Sequence, residues 1–415
     1  MSLLQPTCRT RIWLLPILRE KVGKVKSENR NATIDTLWNR PFASLNLCCF
    51  FIFTNLGLLY LYPLALDAMG SDKHATGWIM GIFSIAAVLS RPFLGKLAIR
   101  KGEYWVISLG LLLSFVASLS YNLITAFSPL LLFVRVVHGV GFSAFIAGSF
   151  SLLAREVSPL KRGTAFSMVG VSIMAAIALA PIIGDALIGQ YGFHSLYMAA
   201  ALSVILAWVA LVTGLRPARP LSQKGNHTGV RYLPLLKDRP FLFLLFSTLI
   251  FAHSQATVAN FLALIAAQND ASSGRFFFVS YFTAIIILIC VGRVIDRYGK
   301  LFLLCLAYPF LALSIILIPN TIQSLLFSIT AILFGAGMGV LFATHNALAA
   351  SHGSMEEKPA VMSIFTAVYD TGFITGAVVS GWLANHIGLD MLFISSGFFA
   401  FLGLIVAMFS PMKEK

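Results

Sequence analysis

Charge is scarce in this sequence. Only 11% of its 415 residues are Asp, Glu, Lys or Arg, while 58% are hydrophobic. A soluble domain carries about 25% charged residues, so this chain cannot cover a surface that faces water. Its apolar runs continue over about 20 residues without alternating, which excludes a β-barrel and predicts membrane-spanning helices.

Signatures of enzyme chemistry are also missing. The sequence contains no phosphate-binding loop of the form G-x-x-x-x-G-K-[ST], and no stretch between apolar runs is long enough for a nucleotide-binding domain. The five cysteines lack metal-ligand spacing and lie mostly in apolar runs, where a thiol acts as a small hydrophobe. We therefore expect no cofactor and no metal, and a membrane enzyme is a disfavoured alternative.

Basic residues outnumber acidic ones, 30 against 16, and their placement is uneven. Eight precede the first apolar run and six follow the sixth, whereas only Lys73 and Arg275 lie on the opposite side. This asymmetry follows the positive-inside rule and predicts that both termini are cytoplasmic, in a bacterial inner or plasma membrane. Because the charge is divided among short loops, it favours anionic lipid over nucleic acid as a partner.

Twelve apolar segments are predicted as spans, with short connections between most of them. They cover residues 43–66, 76–98, 104–123, 128–150, 163–187, 194–215, 240–266, 275–295, 301–319, 322–347, 359–384 and 389–410. The polar, basic stretch 216–239 separates six spans from six. We therefore predict a basic cytoplasmic tail (1–39), an N-terminal six-helix bundle (40–215), a cytoplasmic linker (216–239) and a C-terminal bundle (240–411).

The chain contains an internal repeat. The charged stretch Gly292–Lys300 lies between two apolar runs and is predicted to be a tight turn at the membrane surface. A similar stretch, Gly95–Gly102, occurs 197 positions earlier (292 − 95 = 197). Two glycine pairs inside spans are 198 positions apart: Gly139 and Gly141 against Gly337 and Gly339. Such repeats are common in transporters.

The later stretch fits the pattern G-x-x-x-D-R-x-G-[RK], which resembles the cytoplasmic loop signature of the major facilitator superfamily. The matching residues are Gly292, Asp296, Arg297, Gly299 and Lys300, and the first copy keeps Gly95, Arg100 and Gly102 but has Ile99 in place of the acid. The resemblance implies an all-α integral membrane protein with twelve transmembrane helices in two pseudo-symmetric six-helix bundles. It also implies a cavity lined by spans 1, 4, 7 and 10 and bordered by spans 2, 5, 8 and 11.

Two further stretches resemble signatures of this superfamily. Arg135 opens an R-x-x-x-G-x-G pattern, which in proton-coupled members is linked to coupling; alternatively it is an interfacial arginine that snorkels outward. Span 5 carries part of the antiporter pattern G-P-x-x-G-G, with Ala180 and Asp185 in place of two glycines. Asp185 either pairs with Arg135 or is solvated.

Ionisable residues at membrane depth point to function, because inserting each costs about 2.5–3.5 kcal/mol. Asp370 lies roughly eleven residues, or about 16 Å, into span 11 and is predicted to exchange a proton, or alternatively to make a structural hydrogen bond. His253 in span 7 is a second proton-carrying candidate. Polar candidates for the cavity are Asn55, Gln255, Asn346 and Tyr369.

These residues predict a secondary transporter of a small molecule, coupled to protons and working by alternating access. Arg91, Pro92 and Gly95, together with Asp370 and Gly372, resemble the superfamily branches that export drugs, sugars or metallophores. Proton-coupled efflux of a small organic solute is therefore favoured. The alternatives are an importing proton symporter or facilitator, and a receptor or scaffold that does not transport. We expect a monomer whose partners are the solute, protons and lipid.

Overall fold

The computed structural model describes residues 39–158, 161–215, 232–354 and 357–411, and for 232–233, 292–296 and 359 it describes the backbone alone. Nearly all of the predicted basic tail (1–38 of 1–39) and most of the predicted linker (216–231 of 216–239) lie outside these residues. The described residues form helices and turns, with no strand. The described residues from Arg40 onward form one compact unit, so the division into two bundles stays a prediction.

Ten helical runs in the described residues are long and apolar enough to cross a membrane. They are α1 (Arg40–Ala68, with a 3₁₀ turn at Leu59–Leu61), α2 (Lys73–Lys101), α3 (Glu103–Leu123, ending in a 3₁₀ turn), α4 (Leu130–Glu156), the run Arg162–Gly214, α7 (Arg239–Gln268), α8 (Ser273–Tyr298), α9 (Lys300–Thr321), α10 (Leu326–Ser351) and the run Lys358–Met408. A short helix, Tyr232–Leu235, precedes α7.

The two longest runs each break at one glycine. Gly192 has φ 74° and ψ −176°, and Gly388 has φ 81° and ψ 169°. Only glycine adopts this backbone region without strain. The first run therefore divides into α5 (162–191) and α6 (193–214), and the second into α11 (358–387) and α12 (389–408). The ten long runs, with these two breaks, are consistent with the twelve spans that the sequence predicts.

The repeat is also visible in the backbone. Gly102 has φ 94° and ψ 148°, and Gly299, 197 positions later, has φ 83° and ψ 157°. Each directly precedes the next helix. The prediction that Gly292–Lys300 is a turn was wrong in extent, because α8 continues to Tyr298 and only Gly299 leaves helical geometry. Charge does not end a helix, whereas a residue with positive φ does.

The turns between helices lie at two opposite faces of the protein. We call the face with the α2–α3 and α8–α9 turns the Gly102 face. We call the face with the α1–α2, α5–α6 and α7–α8 turns the Asp185 face. The basic residues near helix ends concentrate at the Gly102 face, and Lys73 and Arg275 are the described Lys and Arg residues at the helix ends of the Asp185 face.

The first six helices meet the last six in two seams near the Asp185 face. In one seam, a Cβ on Gly77 of α2 would lie 2.6 Å from the Ala377 carbonyl oxygen of α11. In the other, a Cβ on Gly274 of α8 would lie 2.5 Å from Ile182 Cα of α5. Gly77 and Gly274 are related by the 197-residue repeat (274 − 77 = 197). Small residues therefore allow backbone-to-backbone contact in both seams.

Candidate functional site

An ion pair joins the two sets of six helices at membrane depth. Arg91 of α2 donates through Nη1 to Oδ2 of Asp370 in α11. Arg91 lies ten residues before Lys101, and Asp370 lies twelve residues after Lys358, so both are about 15–18 Å from the helix ends at the Gly102 face. Asp370 thus has a charged partner in α2, and its proton-exchanging role stays a prediction.

The residue before Asp370 belongs to a polar cluster of four helices. Tyr369 donates its hydroxyl proton to Oε1 of Gln255 in α7, at 2.7 Å. Nε2 of Gln255 points toward the Tyr281 hydroxyl of α8 and Sδ of Met338 in α10, each at 3.5 Å. Helix α1 reaches the same region through Tyr60, whose ring centre is 5.5 Å from that of Phe277. Gln255 and Tyr369 are thus brought together beside the ion pair.

His253 lies in the contact between α7 and α11. Its Nδ1 is 3.1 Å from Oγ1 of Thr375, whose hydroxyl donates to the Gly372 carbonyl at 3.1 Å. Which of Nδ1 and the threonine hydroxyl donates depends on the tautomer of the imidazole. The Phe399 ring lies 4.7 Å away, centre to centre. These contacts give His253 a packing role in this conformation, and its proton-carrying role stays a hypothesis.

Asn55 lies in a buried network rather than facing a cavity, which corrects its predicted placement. Its Nδ2 donates to Ser118 Oγ at 2.8 Å and to the Ala200 carbonyl at 2.9 Å. Its Oδ1 accepts from His138 Nε2 at 2.9 Å, and His138 Nδ1 accepts from the Tyr121 hydroxyl at 3.2 Å. These side chains join α1, α3, α4 and α6, and the side-chain amide of Asn55 is fully bonded.

Arg135 is buried, with 2% of its surface exposed, which contradicts the alternative of an outward-snorkelling side chain and leaves the coupling role a prediction. Nε donates to the Ile79 carbonyl of α2 at 3.1 Å, and Nη2 lies 3.5 Å from Met80 Sδ. The guanidinium carbon is 4.8 Å from the ring centre of Phe83 and 5.6 Å from that of Tyr62. Ring faces therefore supply much of the compensation for this charge.

Asp185 does not pair with Arg135 and is not simply solvated. Its carboxylate accepts from Gly274 N at 2.7 Å, from Ser272 Oγ at 2.8 Å and from Ser273 Oγ at 3.3 Å. All three donors belong to the start of α8. The sequence places Asp185 at the right depth, but it contains no sign that the partner is 89 residues away.

The remaining predicted residues are spread along the helices of the Gly102 side. Asn346 of α10 donates to the Phe342 carbonyl in its own helix at 2.8 Å, and Gly95 of α2 has open space where a Cβ would be. Arg297 is exposed and its guanidinium lies 5.3 Å from the Tyr298 ring centre, while Lys300 donates to Ser351 at 3.0 Å. The side chain of Asp296 lies outside the described residues.

Sequence reasoning missed Arg91 as a site residue. The signal was present, because Arg91 is a charge inside an apolar helix and precedes Pro92 in the pattern shared with Gly95. The depth of Asp370 can be counted along the sequence, but a partner 279 residues away cannot be identified in that way. The structure therefore adds the second member of the pair.

Comparisons with known proteins agree on one family. The sequence model of the Major Facilitator Superfamily matches residues 42–353, and a second match covers residues 269–415. Multidrug resistance protein MdtG of Escherichia coli is 23% identical over 376 residues, which are 86% of this chain and 91% of that protein.

Solved structures share the fold at lower identity. The nucleoside transporter NupG superposes with a TM-score of 0.73 at 16% identity, covering 90% of this chain and 99% of that one. The human organic anion transporter MFSD10 superposes with a TM-score of 0.62 at 18% identity, covering 89% and 99%. At these identities the two structures show a common architecture.

Proposed function

The chain belongs to the Major Facilitator Superfamily, and from this premise we propose that it is a proton-coupled secondary transporter that exports a small organic solute. The observation that carries the proposal is the ion pair of Arg91 and Asp370 between α2 and α11. A carboxylate at this depth is costly unless it is paired or neutralised. Protonation of Asp370 would neutralise it and release Arg91, so a proton and the contact between the two sets of helices are linked.

The linkage gives a cycle with two states. With Asp370 ionised, Arg91 holds α2 against α11. With Asp370 protonated, the pair is lost and the helices separate at lower cost. A ligand shifts a conformational equilibrium only if it binds the two states with different affinity. A proton that binds Asp370 meets this condition, because only one of the two states contains the ion pair. Solute binding in the neighbouring cluster would then alternate with proton binding.

Aromatic rings around the cluster support an amphiphilic or neutral solute. Phe251, Phe342 and Phe373 lie 5.4–6.5 Å from the Tyr369 ring, centre to centre. Such rings bind apolar and planar groups, while Gln255 offers hydrogen bonds for a polar one. The name of the relative MdtG, a multidrug resistance protein, agrees with export of such solutes.

Import by a proton symporter or facilitator is the second candidate, and Asp185 favours it. The antiporter pattern in span 5 is incomplete because Ala180 and Asp185 replace glycines. Asp185 makes a hydrogen-bonded contact with the start of α8. An ion pair that responds to protons serves either direction of solute movement, so transport itself must decide.

The distribution of charge supports an orientation with the Gly102 face in the cytoplasm of a bacterial inner membrane. Basic residues concentrate at that face, as the positive-inside rule requires. Both termini then lie in the cytoplasm, and the Asp185 face is external. Impermeant thiol reagents should label Lys73→Cys in whole cells and leave Lys300→Cys unlabelled; the reverse pattern would overturn this orientation.

Solute movement in proteoliposomes with an imposed proton gradient tests the function. The wild type should accumulate a candidate solute only when the gradient is present. The sign of the gradient that drives accumulation distinguishes export from import. Asp370→Asn should abolish gradient-driven accumulation but keep counterflow exchange. Asp390→Asn is the matched control, because Asp390 is exposed at the Asp185 face. Full gradient-driven transport by the Asp370 variant would refute the coupling role, and absence of transport for every solute would favour a receptor or scaffold.

A further inference from the structure

The start of α8 is capped by a residue from the other set of six helices. Ser272 accepts from Arg275 N at 3.1 Å, which is the usual bond of a serine N-cap. The next free backbone donor, Gly274 N, is bonded by the carboxylate of Asp185 in α5 at 2.7 Å. The hydroxyls of Ser272 and Ser273 also donate to this carboxylate. Asp185 thus accepts one backbone N–H and two hydroxyl groups from this helix end.

The equivalent turn in the first half of the chain is built differently. There, Asp72 precedes α2 and accepts from Ala75 N at 2.6 Å, so the acid is part of its own helix end. Ser272 likewise directly precedes the first residue of its helix. The start of α8 thus has a serine where the start of α2 has an acid, and it draws its negative charge from α5. A carboxylate at a helix start is favourable because of the helix dipole, and for α8 this gain depends on contact between the halves.

The backbones of α5 and α8 also lie close together at this place. A Cβ on Gly274 would lie 2.5 Å from Ile182 Cα and 2.7 Å from the Pro181 carbonyl oxygen. Just beyond it lies a cavity of about 360 Å³, lined by Asp185, Asp270, Ser272 and Ser273 among others. Water therefore reaches up to the carboxylate from one side, while the backbone contact closes the other side.

We infer that Asp185 is a latch residue, which holds the Asp185 face closed by capping α8 and separates from it when that face opens. The inference rests on alternating access by the proposed transporter. When α5 and α8 separate, Gly274 N and the two hydroxyls exchange the carboxylate for water. The latch therefore shifts the balance between the two states without touching the solute.

Labelling of a buried position behind the latch measures this balance directly. Ala263 of α7 lines the same cavity and is 1% exposed, so Ala263→Cys is the reporter, in a protein whose own five cysteines are replaced. Ala267→Cys is the control reporter, because Ala267 lines that cavity and is already exposed. The purified protein is treated with an impermeant maleimide without solute, so the result does not depend on transport.

Asp185→Ala should raise the labelling rate of Ala263→Cys about tenfold, the effect of about 1.4 kcal/mol lost from the closed state. Asp185→Asn should give a smaller rise, because an amide oxygen still accepts from Gly274 N but carries no charge. Gly274→Ala should raise the rate by displacing α5, whatever the charge at position 185. Asp270→Asn removes the other carboxylate of the cavity and should leave the rate unchanged.

Two outcomes would overturn the latch. One is a wild-type labelling rate in Asp185→Ala while Ala267→Cys reacts normally. The other is an equal rise in Asp270→Asn, which would show that any loss of acid loosens this face. If Asp185→Ala does not assemble, the double change Ser272→Ala and Ser273→Ala removes two of the three donors and must still raise the rate. Loss of proton coupling in the transport assay would leave these outcomes unaffected, so the two proposals fail separately.

Discussion

A double-mutant cycle on Arg91 and Asp370 tests the pair that carries the proposed function. Arg91→Gln and Asp370→Asn each remove one charge with little change of shape, and each leaves the partner charge uncompensated. The double variant removes both charges together. Replacement of both members of a buried pair is often close to neutral, whereas removal of one is costly. We therefore expect the two single variants to lose more stability in sum than the double variant loses.

The exposure of the two side chains sets the size of the effect. Arg91 is 31% exposed and Asp370 is 23% exposed, so the pair is neither free in water nor enclosed. Exposed pairs contribute at most about 1 kcal/mol, and breaking a fully buried pair costs about 3–5 kcal/mol. An intermediate interaction energy of about 2 kcal/mol follows, equal to a factor of about 30 in an equilibrium constant.

The assay is reversible unfolding of the purified protein in mixed micelles near neutral pH, with all four proteins measured together. The interaction energy is the stability change of the double variant minus those of the two single variants. Arg91→Gln combined with Asp390→Asn is the control cycle, since Asp390 is exposed at the opposite face. Changes that add within about 0.5 kcal/mol for Arg91 and Asp370 would refute the interaction, and the coupling mechanism with it.

Three other predictions concern stability. Gly299→Ala should cost about 1–3 kcal/mol because its φ of 83° strains any other residue, while Gly95→Ala, in helical backbone with open space around it, should be neutral or stabilising in the same melt. Asn55→Ala should cost about 1–3 kcal/mol, since it leaves buried polar partners unsatisfied; an unchanged melting temperature would contradict the network. The bonds from Ser354 N and Oγ lower the pKa of Glu357, which precedes α11 outside the membrane. This stabilisation is present above the unfolded pKa and lost as pH falls through the folded pKa, so Glu357→Gln should be less stable than wild type near pH 7 and equal to it in acid.

Much of the fold follows from one-dimensional information. The predicted boundary between spans 5 and 6, residues 187 to 194, contains Gly192, and that between spans 11 and 12, residues 384 to 389, contains Gly388. Apolar length and a flanking glycine were enough there. The end of α8 was predicted too early because charge was taken as the sign of a turn, although the helix continues to Tyr298.

The sequence indicated one member of each contact in the candidate site but not its partner. Counting residues along a span gives the depth of a side chain, and this is how Asp370 and Asp185 became candidates. It does not give the direction in which the side chain points. Arg91 and Ser272, their partners, come from helices that are distant in sequence and reach them only through the packing of the two halves. Pairing is a property of the tertiary structure.

The seams at Gly77 and Gly274 have a consequence for how such a protein diversifies. Both seams bring main chain against main chain, so their fit depends on the absence of a side chain at two positions. The residues that would contact solute, such as Gln255 and Tyr369, lie elsewhere on the helices. Selection for a new solute would therefore act on the residues that contact it, whereas closure depends on the two glycines of the seams. Under the proposed function, recognition and movement therefore depend on different residues of this chain.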